Sequence, residues 1–299
     1  MKILMITTND PAGTAFKFAD ALNRTTRHRC RVISTESSRY GHDWAKDVHL
    51  PDLKEPEVIP HLLQEADVFH FHMTADESLP LGSYCAAEFL KGHPAVHHHH
   101  GEPAFRADPR RFADRELSQG RRAIVSTPDL WAMYPEAEWI PNCVPHQRRA
   151  SGSGRWVVGH SPSRRDLKNT AEFLEVMEQV DAEMRLIENV SNEECVRLKA
   201  GCDLFFDHMQ GYYGVSSLEA MAQGIPTIAG IDDWNAWCIR RFTGQDRLPW
   251  IMARNRQELG DAIRRRDLEE TGRYAYEWME REWSEERIVA RLAEFYETL

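Results

Sequence analysis

The sequence contains no Cys-x-x-Cys pair: its six cysteines, Cys30, Cys85, Cys143, Cys195, Cys202 and Cys238, are scattered along 299 residues. That spacing argues against a zinc ribbon or a disulfide framework and for reduced core thiols. Long hydrophobic runs are missing as well. The opening MKILMITT is too short to cross a bilayer and lacks the basic-then-apolar order of a signal peptide. No transmembrane segment is expected, and the location is read as cytoplasmic, with peripheral attachment to a membrane left open. A Gly-x-Gly-x-x-Gly fingerprint is absent, so an ordinary dinucleotide site is a weak reading. Positive charge is not in excess either: the net charge is −10, with 18 basic and 20 acidic residues in 1–150 and 19 and 27 in 151–299. An acidic protein gains little from non-specific attraction to phosphate, which makes nucleic acid a minor candidate partner. The stretch Glu102–Arg122, with six arginines and four acids, is locally basic and reads as a solvated helical face.

What is present is a repeated alternation of strand-length apolar runs and helical spacing. The length exceeds one ordinary hydrophobic core, so two domains are expected, 1–150 and 151–299. In the first, strands are read at Lys2–Thr8, Cys30–Ser34, Asp67–His72, Pro94–His97 and Arg121–Ser126, with helices from Thr14, at Val58–Glu65 and at Leu79–Leu90. Pro141, Pro145 and Ser151-Gly-Ser-Gly154 read as a linker. The second half restarts with a strand at Trp156–His160 and a helix over 167–180. Strands at Met184–Glu188, Asp203–Phe206, Pro226–Ala229 and Trp250–Met252 follow, with helices at Asn192–Gly201 and 215–223 between them. Three helical stretches close the chain: Arg256–Arg265, Leu268–Arg281 and Glu285–Leu299. The expected fold class is α/β, two Rossmann-like parallel-sheet domains facing a cleft.

The densest motif is Gly211-Tyr-Tyr-Gly-Val-Ser-Ser-Leu-Glu-Ala-Met-Ala-Gln-Gly-Ile-Pro226. Gly214 is expected to bend the chain tightly. The helix starting near Val215 and Ser216 would aim free N–H groups at the turn, an anion site suited to a diphosphate. Glu219, one turn further, has two oxygens suited to the hydroxyls of a ribose. Near the first strand, Asn9, Pro11, Ala12 and Gly13 form a loop in which Gly13 permits close backbone approach. Four consecutive histidines, His97–His100, invite a metal reading. Adjacent strand residues point to opposite faces, however, and zinc needs converging ligands, so no metal is expected.

Glu219-Ala-Met-Ala-Gln-Gly-Ile-Pro226 resembles the second half of the Glu-(x)7-Glu…Ala-Met-Ala-x-Gly-x-Pro pattern of retaining, family-4-like GT-B glycosyltransferases (glycosyltransferase group 1). Asp67-Val-Phe-His-Phe-His72, the His97–Glu102 loop reaching Arg106, and Ser126-Thr-Pro-Asp-Leu130 through Trp139-Ile-Pro-Asn142 are similar to that group more loosely. The resemblance implies a GT-B enzyme that moves a sugar from a nucleoside-diphosphate sugar to a hydroxyl acceptor, with retention and without a metal or other cofactor. It implies that Arg164 or Arg165, with Lys168, neutralises the leaving diphosphate. Gly13, Gly214, Val215 and Ser216 would lie along the donor, with Glu219 on the ribose. His100 would hydrogen-bond sugar or acceptor, and His72 and Arg106 would stand on the acceptor side. The pattern's first glutamate falls at Gly211, which leaves the donor sugar open; Asp207 or His208 nearby are candidate substitutes. A non-catalytic nucleotide-sugar-binding protein, a nucleotide-sugar epimerase, and a transferase acting on modified DNA bases stay open as alternatives. Saccharide or lipid-linked acceptors are the default.

Overall fold

Val, Ile, Leu and Phe runs of strand length become buried parallel strands in both halves of the chain. The computed structural model describes residues 1–38, 47–53, 57–147 and 156–299, so the Ser151–Gly154 linker lies outside the described residues. The first unit, Met1–Cys143 with Glu285–Leu299, contains strands β1 (Lys2–Thr7), β2 (Arg29–Ser34), β3 (Val48–His49), β4 (Val68–His72), β5 (Ala95–His99), β6 (Arg122–Val125) and β7 (Glu138–Trp139). They form one parallel sheet in the order β3-β2-β1-β4-β5-β6-β7. Helices α1 (Thr14–Thr25), α2 (Val58–Glu65), α3 (Pro103–Ala107), α4 (Pro109–Ser118) and α5 (Pro128–Met133) connect them. Leu4, Ile6, Ile33, Phe69 and Phe71 from the sheet pack with Ile59 and Leu63 of α2 in one core.

One expected element fails here. Leu79–Leu90 is not an α-helix: Leu81 bridges Tyr84, Gly82 takes a positive φ of +70°, and only a 3₁₀ turn forms at Ala86–Glu88. Pro80 followed by Gly82 breaks the apolar spacing that suggested a helix. The basic stretch does fold as helices. Asp108 caps α4 by accepting the Arg111 N–H at 3.2 Å.

The second unit, Val144–Ser284, holds β8 (Val157–His160), β9 (Glu183–Leu186), β10 (Leu204–Phe206), β11 (Thr227–Ala229) and β12 (Ile251–Met252). These make a parallel sheet in the order β12-β11-β10-β8-β9. Its helices are α6 (Thr170–Met177), α7 (Asn192–Ala200), α8 (Val215–Met221), α9 (Asp233–Thr243), α10 (Arg256–Arg264) and α11 (Glu269–Glu282). A 3₁₀ turn at Arg165–Leu167 and a left-handed Asn169 delay α6 beyond the expected start at 167. Helix α9 is absent from the sequence reading. Its ends are well marked, by Asp232 accepting the Asn235 N–H at 2.7 Å and by Gly244 at φ 71°. Exposed Trp234 and Trp237 on its outer side hide the apolar face made by Ala236, Cys238 and Ile239.

The last helix, α12 (Glu285–Glu297), belongs to the first unit, not to the second half in which the sequence reading put all of 151–299. Ile288, Val289, Leu292, Phe295 and Tyr296 are buried on it, and it lies along α1, where Arg24 pairs with Glu285 at 3.0 Å and Arg27 with Glu297 at 2.9 Å. Arg122 stacks over Phe295 at 4.4 Å. Nothing local in the sequence distinguishes a terminal helix that closes its own half from one that returns to the other. At roughly 1.5–3 kcal/mol per buried apolar side chain, these five contribute on the order of 10 kcal/mol, comparable to the whole ~5–15 kcal/mol stability of a domain. Ending the chain at Ser284 should therefore abolish amide-exchange protection in β1 and β4. Retained protection there would show that the first sheet does not depend on α12.

Candidate functional site

In the second unit, β10 is followed directly by Asp207, which is buried and accepts the Gly214 N–H on Oδ2 at 2.6 Å and Lys168 Nζ on Oδ1 at 3.2 Å. Burial pushes this carboxyl toward its neutral form, but His208, Lys168 and the Gly214 N–H outweigh it and hold its pKa well below the usual range. Gly214 itself is not bent: its φ of −102° and ψ of 162° are extended. Glycine leaves the lysine its place, because a Cβ would lie 2.7 Å from Lys168 Nζ and 3.0 Å from Asp207 Oδ1 and the ammonium would have to move. Lysine, aspartate and the backbone entering α8 thus meet at one half-buried point. Helix α8 runs only from Val215 to Met221, and the cation at this point is Lys168, paired with Asp207.

Val215 and Ser216 open α8, and Ser216 Oγ shares a 2.5 Å hydrogen bond with Ser161 Oγ from the loop after β8. Glu219, one turn on, is buried, with Oε2 at 2.7 Å from Lys199 Nζ and Oε1 accepting Asn192 Nδ2 at 2.9 Å. Lys199 is buried too, yet the Glu219 carboxylate outweighs desolvation and raises its pKa. Asn192 and Lys199 stand seven residues apart on α7, two turns along one face. That spacing is the only sequence signal for a pair that sequence reasoning missed.

Gly211, where the resembled pattern has its first glutamate, sits at φ +91° and bridges Ile231. A side chain there would be strained, and its Cβ would fall 2.9 Å from Asp232 Oδ2. An exposed carboxylate from the turn before α9 therefore stands where the missing side chain would begin. Asp207, one of the candidate substitutes, is committed to Lys168 and Gly214, and His208 is buried. Arg164 and Arg165 are exposed; Arg164 pairs with Asp166, and Arg165 Nε with Glu188 at 2.8 Å. The structure does not bring either to the Lys168–Gly214 point.

In the first unit, Gly13 adopts the left-handed conformation before α1 (φ 65°), but the start of that helix is already occupied by the chain's own carboxylate. Asp10 is buried and accepts the N–H groups of Thr14 at 2.8 Å and Phe16 at 3.2 Å. A donor phosphate at Gly13 would meet this like charge, so the phosphate role expected for Gly13 is not supported by the geometry. Asp10 escaped the sequence reading because a lone aspartate in a turn is commonplace. Burial raises its pKa to about 6.

Strands β4 and β5 lie side by side, with His72 opposite His98. His70, His72, His98 and His100 stack on one face, with ring centroids 4.3 Å apart for His70 and His72 and 4.1 Å for His98 and His100. His72 Nδ1 meets His100 Nε2 at 2.9 Å, His100 Nδ1 meets Ser126 Oγ at 2.6 Å, and Ser126 Oγ donates to Asn142 Oδ1 at 3.1 Å. His98 Nε2 reaches the same hydroxyl at 3.1 Å, and His70 Nδ1 reaches Tyr296 Oη at 2.5 Å. Burial drives His70, His72 and His98 well below the ordinary imidazole value and lowers His100 to about 4. On the opposite face His99 donates to Glu102 at 2.7 Å and Glu116 at 3.1 Å. Burial opposes its charge, but the two carboxylates prevail and raise its pKa. His72 is therefore a core residue and not an acceptor contact, and both nitrogens of His100 are engaged. Arg106 is tied to Asp129 at 2.7 Å and to the Gly101 carbonyl at 3.2 Å.

No family model and no curated protein matches the chain. Solved structures share its fold. Anabaena HepE in complex with UDP and glucose superposes with a TM-score of 0.69 at 16% identity, covering 100% of both chains. An alpha-glucosyltransferase in complex with UDP-glucose and DNA containing an abasic site gives 0.63 at 11% identity over 99% of each chain. UDP-GlcNAc 2-epimerase from Neisseria meningitidis bound to UDP-GlcNAc gives 0.52 at 12% identity over 100% of each. The fold is GT-B, with two Rossmann-like domains. Among the described residues no helix is long and apolar enough to cross a membrane.

Asp10 makes the stability of the first unit depend on pH. Its folded pKa of about 6 lies above the ordinary 3.8, so the native state holds this proton more tightly than the unfolded chain. Its contribution is complete below about pH 4 and is lost as pH rises through about 6, for a difference of ~3 kcal/mol. In denaturant titrations wild type should lose about that much relative to Asp10→Asn between pH 4 and pH 7. A gap that stays constant, or widens in favour of wild type, contradicts the assignment.

Proposed function

We propose that the protein transfers a sugar from a nucleoside-diphosphate sugar to a hydroxyl acceptor, with retention at the anomeric carbon and no metal ion at the diphosphate. The observation that carries the reading is the Lys168 ammonium lying where a Gly214 Cβ would clash, beside the opening of α8. A diphosphate laid over Gly214, Val215 and Ser216 meets that ammonium directly. As the anomeric C–O bond breaks, the electron pair leaves with the diphosphate, and Lys168 stabilises the charge that develops. The acceptor hydroxyl adds to the anomeric carbon, and its proton passes to a phosphate oxygen of the leaving group. Asp207 orients Lys168 through one oxygen while its other oxygen accepts the Gly214 N–H.

Glu219, oriented by Lys199 and Asn192, accepts the ribose hydroxyls. Asp232 takes over the carboxylate task that Gly211 cannot perform and contacts the transferred sugar. This favours an enzyme over a non-catalytic binder, since the carboxylate lost from the pattern is supplied from another turn. Arg164 and Arg165 join the diphosphate only by leaving Asp166 and Glu188. The acceptor is a saccharide or lipid-linked hydroxyl. The net charge of −10 disfavours duplex DNA, although a structural neighbour was solved with DNA. The setting is cytoplasmic.

Two variants test these roles. Lys168→Ala should lower turnover about 10²–10³-fold, measured as nucleoside diphosphate released with an acceptor panel, in protein whose circular dichroism is unchanged. Activity within a few-fold of wild type would remove Lys168 from the mechanism. Asp232→Asn keeps an oxygen to cap α9, so it should fold and bind free nucleoside diphosphate normally. It should lose transfer by roughly 10–100-fold, the worth of one charge-assisted hydrogen bond. Equal loss of nucleotide binding and transfer would place Asp232 on the nucleotide instead.

A further inference from the structure

Histidines His70, His72 and His98 each offer one ring nitrogen to a group in which those nitrogens lie within 4.8 Å of one another. All three residues are buried, and in each ring one nitrogen is hydrogen-bonded while the other, Nε2 of His70 and His72 and Nδ1 of His98, has no partner. A buried polar atom without a partner is uncommon and calls for a physical reason. Three of them gathered in one cluster, on adjacent strands, call for one shared reason.

The surrounding hydrogen bonds fix the form that His98 and His72 take. Ser126 gives its only proton to Asn142 Oδ1, so His98 Nε2 and His100 Nδ1 must both donate to the Ser126 oxygen. His98 Nδ1 is then a bare lone pair. With Nδ1 of His100 protonated and the ring neutral, its Nε2 accepts, so His72 Nδ1 carries the donated proton and His72 Nε2 is bare as well. His70 Nδ1 and the Tyr296 hydroxyl can each donate to the other, and a metal at Nε2 would select the Nδ1–H form that donates to Tyr296 Oη. Neutral imidazoles, each with one N–H held by a second residue and the other nitrogen bare, are the form in which histidine binds a metal.

We infer that His70, His72 and His98 form a transition-metal site in the first unit, taking zinc or a similar late first-row ion through His70 Nε2, His72 Nε2 and His98 Nδ1. Three imidazoles leave a fourth position for an exogenous ligand. Tyr296, His100 and Ser126 orient the ligands. The argument that consecutive strand histidines cannot converge holds for His97–His100 alone. It is bypassed because β4 contributes two ligands and β5 one, all on one face. The second histidine group, His97, His99 and Glu116, is closed by its own ion pairs and is not assigned. Because Tyr296 lies on α12, the ion would tie the terminal helix to the centre of the sheet. Its role is structural and separate from Lys168 and the diphosphate.

The test uses the full chain, stripped with chelator and reloaded with zinc or cobalt(II). Wild type should hold one ion per chain after gel filtration, raise its Tm by roughly 5 °C or more in excess zinc, and show the visible absorption of tetrahedral cobalt. His72→Gln and His98→Gln should lose the ion and the Tm rise, while His93→Gln, outside the cluster, keeps both. If the Gln variants fail to fold, imidazole ¹⁵N spectra of wild type decide: zinc must shift His70, His72 and His98 and leave His97 and His99 unmoved. Absence of ion and Tm shift in wild type overturns the site and leaves the nitrogens to water. An ion retained by both Gln variants, or zinc shifts on His97 and His99, overturns it equally.

Discussion

A lysine ammonium pressed against a glycine that has no room for a side chain is the contact on which the second unit's site depends. Lys168 lies over the entry to α8, where a Cβ on residue 214 would displace its ammonium, and it stays there because Asp207 offers it one oxygen and offers the Gly214 N–H the other. The carboxylate is thereby shared between a cation and a backbone donor. Ser216, Glu219 and Lys199 extend the same arrangement along α8, so the diphosphate end and the ribose end of a donor would be held by one short helix and its neighbours. Removing either member of the buried Lys199–Glu219 pair would leave an uncompensated charge, a loss of about 3–5 kcal/mol. Glu219 is therefore a structural residue in its own right, whatever ligand it meets.

The first unit handles buried polarity by a different route. Its sheet carries histidines inward from β4 and β5 on both faces. One face neutralises them with Glu102 and Glu116; the other keeps them uncharged by burial and links them through Ser126, Asn142 and Tyr296. Asp10 caps α1 with its own carboxylate and so removes from use the helix terminus that a Rossmann-like domain commonly offers to phosphate. The two units thus share an architecture but not a chemistry.

Much of this was legible in the sequence. The parallel α/β alternation follows from apolar period and from glycine and proline placement. What was not legible depends on three dimensions. Gly214 is needed for clearance and not for a bend, which only the position of Lys168 reveals. Asp232 lies twenty-one residues beyond Gly211 in sequence and adjoins it only because Gly211 pairs with Ile231. Arg164 and Arg165 have the right charge beside the right loop, yet Asp166 and Glu188 are closer partners. Pro80 and Gly82 prevent a helix over Leu79–Leu90, and two exposed tryptophans mask the amphipathic spacing of α9.

The central claim is that Lys168 and the glycine entry to α8 bind a diphosphate. Isothermal titration with UDP, GDP and ADP against the corresponding nucleosides, in wild type and in Gly214→Ala, measures this most directly. One diphosphate should bind at least tenfold more tightly than its nucleoside, and the added methyl, 2.7 Å from the lysine, should erase that advantage. Nucleoside and diphosphate binding equally, or an unchanged advantage in Gly214→Ala, would contradict the account.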